Sequence, residues 1–172
     1  VFNDEGKLLI GIVDTGALKS ATSVWVTYDY VDPSMVAADD IVGGVDTDGK
    51  RKGLELINEV FPRFGLIPGN LLAPGWSHNT LVAAVMKAKE TTINGMFQAM
   101  SLCDAPTDEI KKATAVSEWK NKKNYVDERQ ILCWPKVALA NRQFHLSTQL
   151  AGLMAKTDAK YDDIPYKSPS NE

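Results

Sequence analysis

Hydrophobic positions along the chain follow two spacings, one typical of strands and the other of helices. Apolar and β-branched runs predict strands at residues 8–13, 24–31, 70–73, 96–103 and 129–134. Apolar residues three and four positions apart predict helices from residues 51–64, 77–89, 107 or 108–122 and 147–160. A short helical piece is expected before Gly43-Gly44, and a strand pair is expected around Ala140-Asn141.

The order of these elements predicts an α/β fold. Strands separated by helices of this length are typical of parallel βαβ units. We therefore expect a mostly parallel or mixed sheet of about four to five strands, with helices on both faces. The strand pair at 136–146 would form a mixed edge. Residues 1–42 would form a short N-terminal β-rich segment, and residues 43–172 would form the α/β core domain.

Composition excludes some classes of function. The chain is 44% hydrophobic and 24% charged with a net charge of −3, whereas nucleic-acid binders are normally basic. Its longest apolar runs are too short to cross a bilayer. We therefore expect no direct contact with nucleic acid and no membrane insertion. The two cysteines, Cys103 and Cys133, are expected to be reduced and packed as small apolar groups.

The turn at residues 74–77, between a strand and a helix, supports two hypotheses about Ser77. In one hypothesis, Ser77 is a nucleophile, His145 is its base and Asp104 is the acid that orients the base. In the other, Ser77 caps the helix that follows. A nucleophile elbow needs a glycine two residues after the serine, and Asn79 stands there. The sequence therefore favours the cap.

Other candidate motifs have structural explanations. Gly43-Gly44 and the basic, glycine-containing residues 49–53 do not match the spacing of a phosphate-binding loop. Asp46 to Gly49 is expected to form a turn, because the remaining ligands of a calcium loop are absent. Lysines around residues 111–123 are expected on a solvated face, with an acidic protein partner as the alternative. We predict no catalytic, cofactor-binding or metal-ligating residue, and no cofactor.

Several segments in order resemble the core domain of contractile phage tail sheath proteins. The resemblance is carried by residues 43–46, 53–57, 60–61, 71–77, 102–106, 133–137, 147–158 and 168–172. It covers most of residues 40–172. Residues 3–42 resemble the part that joins this core to the more variable, β-rich outer region of the sheath subunit.

The resemblance implies a structural function. Family members polymerise as hexameric rings around an inner tail tube, and contraction of this sheath drives the tube through the host envelope. The implied partners are neighbouring copies, in a homo-oligomer, and the tube protein. The implied location is the virion, after assembly in the host cytoplasm. The alternative is a flavodoxin-like or hydrolase-like α/β enzyme that uses Ser77.

The ends of the chain depart from the family pattern. The sequence begins without Met, and it ends in an extended Pro/Ser segment at residues 164–172. Family members continue into N- and C-terminal arms that link neighbouring subunits by β-augmentation. We therefore expect a truncated core domain that does not polymerise into tubes or rings by itself.

Overall fold

A computed structural model describes residues 15–20, 23–29 and 31–170 of the chain. Contacts within the chain divide it into two compact units, residues 1–33 and residues 34–172. The assignment of residues 1–42 to a β-rich joining segment and of residues 43–172 to a core domain stays a prediction. The strand predicted at residues 8–13 lies outside the described residues.

The strand predicted at residues 24–31 is not formed in the part of this segment that the structure describes. Residues 23–29 and 31–32 have no regular secondary structure. Val24, Trp25 and Val26 are all exposed, so side chains on both faces of the segment face solvent. β-Branched and aromatic residues favour a strand only where neighbouring strands pack against them. Local propensity therefore does not produce a strand here.

The described residues from 33 onward contain both helices and strands. Two short 3₁₀ segments span Pro33–Met35 and Gly53–Glu59. The helices are α1 (Ala38–Val42), α2 (Val60–Phe64), α3 (Thr80–Glu90), α4 (Thr114–Lys122) and α5 (Leu146–Lys160). The strands are β1 (Gly44–Val45), β2 (Arg51–Lys52), β3 (Asn70–Leu72), β4 (Met100–Asp104), β5 (Gln130–Cys133), β6 (Val137–Leu139) and β7 (Arg142–Phe144). Within the described part of the chain, no helix has the length and apolar character needed to cross a membrane.

The α/β fold class is confirmed. Strands β3, β4 and β5 form a parallel sheet in that order, with α3 in the first connection and α4 in the second. The expected mixed edge is not formed, because β6 and β7 pair only with each other among the described residues. The parallel sheet therefore has three strands and is narrower than expected.

Helices cover both faces of this sheet. Side chains alternate between the faces of a strand, so Ser101 and Cys103 of β4 point one way, and Leu102 and Asp104 point the other. Cys103 packs in the core with Val82 and Met86 of α3, whereas Asp104 contacts the start of α5. Residues on both faces are buried, as expected for a parallel sheet that is covered by helices on both sides.

The helix predicted over residues 51–64 is not continuous. The segment begins as β2, continues as a 3₁₀ helix and becomes α-helical only at Val60. Pro62 explains why the α-helix does not begin earlier. In a longer α-helix its ring would clash with the carbonyl of Asn58, and its nitrogen has no hydrogen to donate to that carbonyl. In α2, Pro62 falls in the first turn, where no intrahelical N–H donor is needed.

Two glycines allow the chain to cross itself closely before this segment. A Cβ atom on Gly43 would lie 1.9 Å from the carbonyl oxygen of Lys52, and one on Gly53 would lie 2.5 Å from that of Ile41. Both glycines also have positive φ angles, 65° and 55°. Only glycine fits this crossing without displacing the backbone.

A buried acid lies between α3 and β4. Glu90 is fully buried, and Ser101 donates a hydrogen bond to its Oε1. Its Oε2 is also buried and has no hydrogen-bond partner among the described residues. Burial raises the pKa of the Glu90 carboxyl, and the Ser101 hydrogen bond only partly opposes this effect. The fold therefore favours the protonated, neutral form of this acid.

The raised pKa of Glu90 predicts a specific dependence of stability on pH. The stability that Glu90 contributes to the folded protein is complete below the ordinary glutamate pKa. This stability is lost as pH rises through the raised pKa of the folded state. Glu90→Gln keeps a neutral partner for Ser101, so we expect its free energy of unfolding to exceed that of the native protein at alkaline pH by about 1 kcal/mol. Urea unfolding across the pH range measures this difference.

Glu118→Gln is the matched control, because Glu118 is exposed on α4. It makes the same chemical change without altering a buried group, so its stability should follow that of the native protein. Equal pH profiles for Glu90→Gln and the native protein would show that Glu90 does not carry this dependence.

Candidate functional site at the carboxyl ends of the strands

The residues of the predicted Ser77, His145 and Asp104 site meet at the carboxyl edge of the parallel sheet. Ser77 follows β3, Asp104 is the last residue of β4, and His145 directly precedes α5. This edge is where α/β proteins commonly bind ligands. The hydrogen bonds of the three residues therefore decide between the catalytic and the structural hypothesis.

Ser77 is held inside the protein by hydrogen bonds at three of its atoms. Its backbone N–H donates to the carbonyl of Ala73 at 2.8 Å, in a tight turn after β3. Its Oγ accepts a hydrogen bond from the backbone N–H of Asp104 at 2.9 Å, and its carbonyl accepts one from the Tyr125 hydroxyl at 2.8 Å. The side chain is fully buried. These bonds connect β3, β4 and the segment after α4.

Ser77 does not cap the helix that follows it. Helix α3 begins at Thr80, and its N-cap is Asn79, whose Oδ1 accepts a hydrogen bond from the N–H of Leu81 at 2.9 Å. The cap prediction for Ser77 is therefore wrong. Asn is as good an N-cap residue as Ser. Ser77 lies in the turn after β3, before the helix starts.

Asp104 is the centre of the cluster. Its Oδ1 accepts the backbone N–H of Ser147 at 3.0 Å, and its Oδ2 accepts the Ser147 hydroxyl at 2.5 Å. The N-cap residue of α5, His145, makes no side-chain capping bond. Asp104 therefore acts across the fold as the cap of α5. A carboxylate at a helix N-terminus is also favoured by the helix dipole.

His145 completes the cluster without forming a proton relay. Its Nδ1 lies 3.5 Å from Oδ2 of Asp104, and this buried atom makes no hydrogen bond among the described residues. A catalytic triad needs the histidine between the serine and the acid. Here Asp104 occupies the middle position and binds Ser77 and Ser147, with His145 beside it. The structure brings His145 and Asp104 together, but it does not orient either serine as a nucleophile.

Neither cysteine is a second candidate nucleophile. Both thiols are free and buried. Burial raises the pKa of Cys103 to about 12 and that of Cys133 to about 11. Both thiols therefore stay protonated at neutral pH, as expected for small apolar core residues. Among the described residues, no group of three or more His, Cys, Asp or Glu side chains is arranged to hold a metal ion.

Two basic side chains that the sequence did not assign also lie at this edge. His78 and Lys136 line a cleft of about 240 Å³ together with Asp104 and His145. His78 follows β3 and Lys136 follows β5, on either side of the central strand. Because the carboxyl ends of parallel strands lie at one edge of a sheet, the sequence could have predicted that His78 and Lys136 lie at the same edge.

Comparison with known proteins gives two tail sheath relatives. The tail sheath protein of Burkholderia phage BcepMu is 30% identical over 156 residues, which cover 85% of this chain and 32% of that protein. The putative prophage major tail sheath protein of Pseudomonas aeruginosa UCBPP-PA14 is 29% identical over 153 residues, or 88% of this chain and 38% of that protein. The chain is related to phage tail sheath proteins.

The similarity to sheath proteins confirms the resemblance seen in the sequence motifs. The chain spans about a third of the length of these two sheath proteins. No protein-family model matches it.

In this relative of sheath proteins, Ser77 is expected to act in packing. Ser77→Ala leaves the buried N–H of Asp104 without its acceptor, so we expect the free energy of unfolding to fall by about 1–3 kcal/mol. A serine-reactive fluorophosphonate probe should not label Ser77 in the folded protein. Urea unfolding and mass spectrometry after labelling check these two expectations.

Thr148→Ala is a suitable control, because Thr148 is exposed on α5. Its stability should stay close to that of the native protein. Specific labelling of the native protein that disappears in Ser77→Ala would instead support the enzyme hypothesis.

Proposed function

We propose that this chain forms part of a structural subunit of a contractile phage tail sheath. The observation that carries the proposal is the similarity to a phage tail sheath protein along 85% of the chain. A second tail sheath relative, from a prophage, supports the same assignment. In this proposal the chain is a virion component, assembled in the bacterial host cytoplasm.

The polar cluster at the sheet edge is compatible with a structural role. Ser77 and Ser147 are fully buried and bind Asp104, so the residue types typical of hydrolases here connect secondary structure elements. A subunit that works by packing against its neighbours needs a rigid core of this kind. It does not need a nucleophile exposed in a pocket.

Exposed apolar side chains at the end of α2 and in the segment before β3 offer a surface for such neighbours. Phe64, Leu66 and Ile67 are each more than half exposed, at 69%, 65% and 56%. Apolar side chains close together on a surface are typical of protein contacts. In the proposed subunit this segment would contact another copy or the inner tail tube.

The finer features of the proposal follow the family resemblance. The full-length subunit would form hexameric rings as a homo-oligomer stacked around the inner tube. Contraction of the stacked rings would drive the tube through the host envelope. The energy would come from the metastable extended lattice, so the process would require no cofactor and no bound nucleotide.

Deletion of the gene in the phage or prophage that encodes the chain tests this proposal. We expect electron micrographs to show particles with bare inner tubes and no sheath, because the subunit that surrounds the tube is missing. The native gene supplied in trans should restore sheathed tails. Antibodies against the chain should label the restored tails along their length.

Three results would contradict the proposal. Deletion mutants could keep complete sheaths, or the antibody could label only the capsid or the tail tip. Normal tails combined with a lost enzymatic activity would assign the chain to a different class of protein.

A further inference from the structure

The loop between α3 and β4 contains the one asparagine of the chain that precedes a glycine. Asn94-Gly95 lies at the tip of a hairpin in which Ile93 and Phe97 form an antiparallel bridge. Both tip residues have positive φ angles, 53° for Asn94 and 72° for Gly95. This backbone conformation is typical of Asn-Gly in tight hairpin turns. Asn-Gly is also the pair in which an asparagine side chain reacts most readily with the next backbone nitrogen, because glycine has no Cβ atom to block the approach.

The backbone nitrogen of Gly95 is held only weakly. It lies 3.5 Å from the carbonyl oxygen of Thr92, whereas the two hydrogen bonds between Ile93 and Phe97 measure 2.9 Å and 3.1 Å. A strong backbone hydrogen bond has a donor–acceptor distance of about 2.7–3.2 Å. Gly95 is exposed, and a Cβ atom on it would meet no other atom within 4 Å. This nitrogen can therefore move toward a neighbouring group without breaking a strong bond.

The side-chain amide of Asn94 is not held by a hydrogen bond at its nitrogen. Its Nδ2 is buried and has no hydrogen-bond partner among the described residues. The backbone N–H of Asn94 donates to Oδ1 of Asn58 at 3.0 Å, so the main chain is anchored on the other side of the reacting pair. The attacking atom belongs to the next residue, so the amide need not be reached from solvent.

A second asparagine with a positive φ angle has the opposite surroundings. Asn124 has a φ angle of 63° and precedes Tyr125, which is fully buried. The N–H of Tyr125 donates to the carbonyl of Lys120 at 3.0 Å. The nitrogen that follows Asn124 is therefore held by a strong bond and carries a bulky neighbour. Asn124 serves as an internal comparison for Asn94.

We propose that Asn94-Gly95 is a site of spontaneous covalent modification, at which Asn94 becomes aspartate or isoaspartate in the folded protein. The Gly95 nitrogen loses its proton and bonds to Cγ of Asn94, the Cγ–Nδ2 bond breaks, and ammonia leaves with one added proton. This step closes a succinimide ring. One water molecule then opens the ring, giving aspartate when it attacks Cγ and isoaspartate when it attacks the main-chain carbonyl carbon. This inference does not depend on the proposed sheath function.

The modification would weaken the hairpin. Isoaspartate adds one carbon atom to the main chain, and both products add a carboxylate. Ile93 is fully buried in the core, and the ring of Phe97 lies 4.8 Å from that of Phe61. A longer main chain at the tip disturbs the bridge that positions these two side chains. We therefore expect the isoaspartate form to have a lower free energy of unfolding than the native protein.

Incubation of the folded chain in mildly alkaline buffer, followed by digestion and mass spectrometry, tests the proposal. We expect a product at Asn94 whose mass increases by the difference between water and ammonia. Asn94 should react about tenfold or more faster than Asn124 in the same sample. Buffer made with water containing heavy oxygen should label the new carboxylate, because water opens the ring.

A destabilised variant shows whether the reaction occurs in the folded state. Ser77→Ala is expected to lower the free energy of unfolding and so to raise the unfolded fraction by about tenfold. A reaction in the folded hairpin should proceed at the same rate in Ser77→Ala and in the native protein. A reaction that required global unfolding would accelerate with the unfolded fraction.

Glycine variants test the chemical step. Gly95→Ala should slow the reaction by about tenfold or more, because a Cβ atom hinders the approach of the nitrogen. Gly152→Ala is the matched control, since Gly152 is exposed on α5 and its added Cβ would meet no other atom within 4 Å. Asn94→Asp adds the same charge without lengthening the main chain, so it should lose less stability than the isoaspartate form.

Three results would overturn the proposal. Asn94 could stay unmodified or react no faster than Asn124. The rate in Ser77→Ala could rise in proportion to its unfolded fraction, which would assign the reaction to the unfolded chain. Gly95→Ala and Gly152→Ala could react at equal rates, which would exclude attack by the Gly95 nitrogen.

Discussion

The hydrogen bonds of Asp104 hold the carboxyl edge of the sheet together. Its backbone N–H binds Ser77, which follows β3, and its carboxylate binds Ser147 in the first turn of α5. Asp104, at the end of the central strand, therefore fixes both the turn after β3 and the start of α5. Each bond satisfies a buried polar group, and losing such a partner costs about 1–3 kcal/mol.

This arrangement explains how the site can contain serine, histidine and aspartate without a catalytic geometry. Ser77 accepts a hydrogen bond from the Asp104 backbone and the Ser147 hydroxyl donates to the Asp104 carboxylate, so among the described residues no serine of the cluster is hydrogen-bonded to the imidazole. Side-chain types that would form a catalytic site in a hydrolase here connect the parallel sheet to α5 by hydrogen bonds. A rigid joint of this kind suits a subunit that transmits force through packed surfaces, as we propose for this relative of tail sheath proteins.

The elements with strong local signals could be predicted from the sequence. The strand at β3, the hairpin of β6 and β7, and helix α5 were all predicted near their observed positions, because hydrophobic spacing and turn residues agree there. The prediction of one helix from residue 51 is wrong, because its apolar spacing is helical while Pro62 and Gly53 prevent a continuous α-helix. The spacing of apolar residues alone does not show whether helical periodicity or helix-breaking residues determine the local structure.

The candidate site was only partly predictable, for a different reason. The position of Ser77 near Asp104 follows from the ends of β3 and β4, which meet at one edge of the parallel sheet, whereas His145 follows β7, which lies outside this sheet. The capping of α5 by Asp104 does not follow, because the two partners lie 43 residues apart and only the packed fold brings them together. The sequence favours Ser77 as the cap because serine is a good N-cap residue, whereas the N-cap in the structure is Asn79, two residues later.

A double-mutant cycle on Asp104 and Ser147 tests most directly whether this cluster is a structural joint. Asp104→Asn, Ser147→Ala and the combined variant would be compared with the native protein by urea unfolding. If the carboxylate and the hydroxyl stabilise each other, the double variant should lose less stability than the sum of the two single variants' losses. The expected difference is about 1 kcal/mol or more. Losses that add to within about 0.3–0.5 kcal/mol would show that the two groups are not coupled, and would contradict the account.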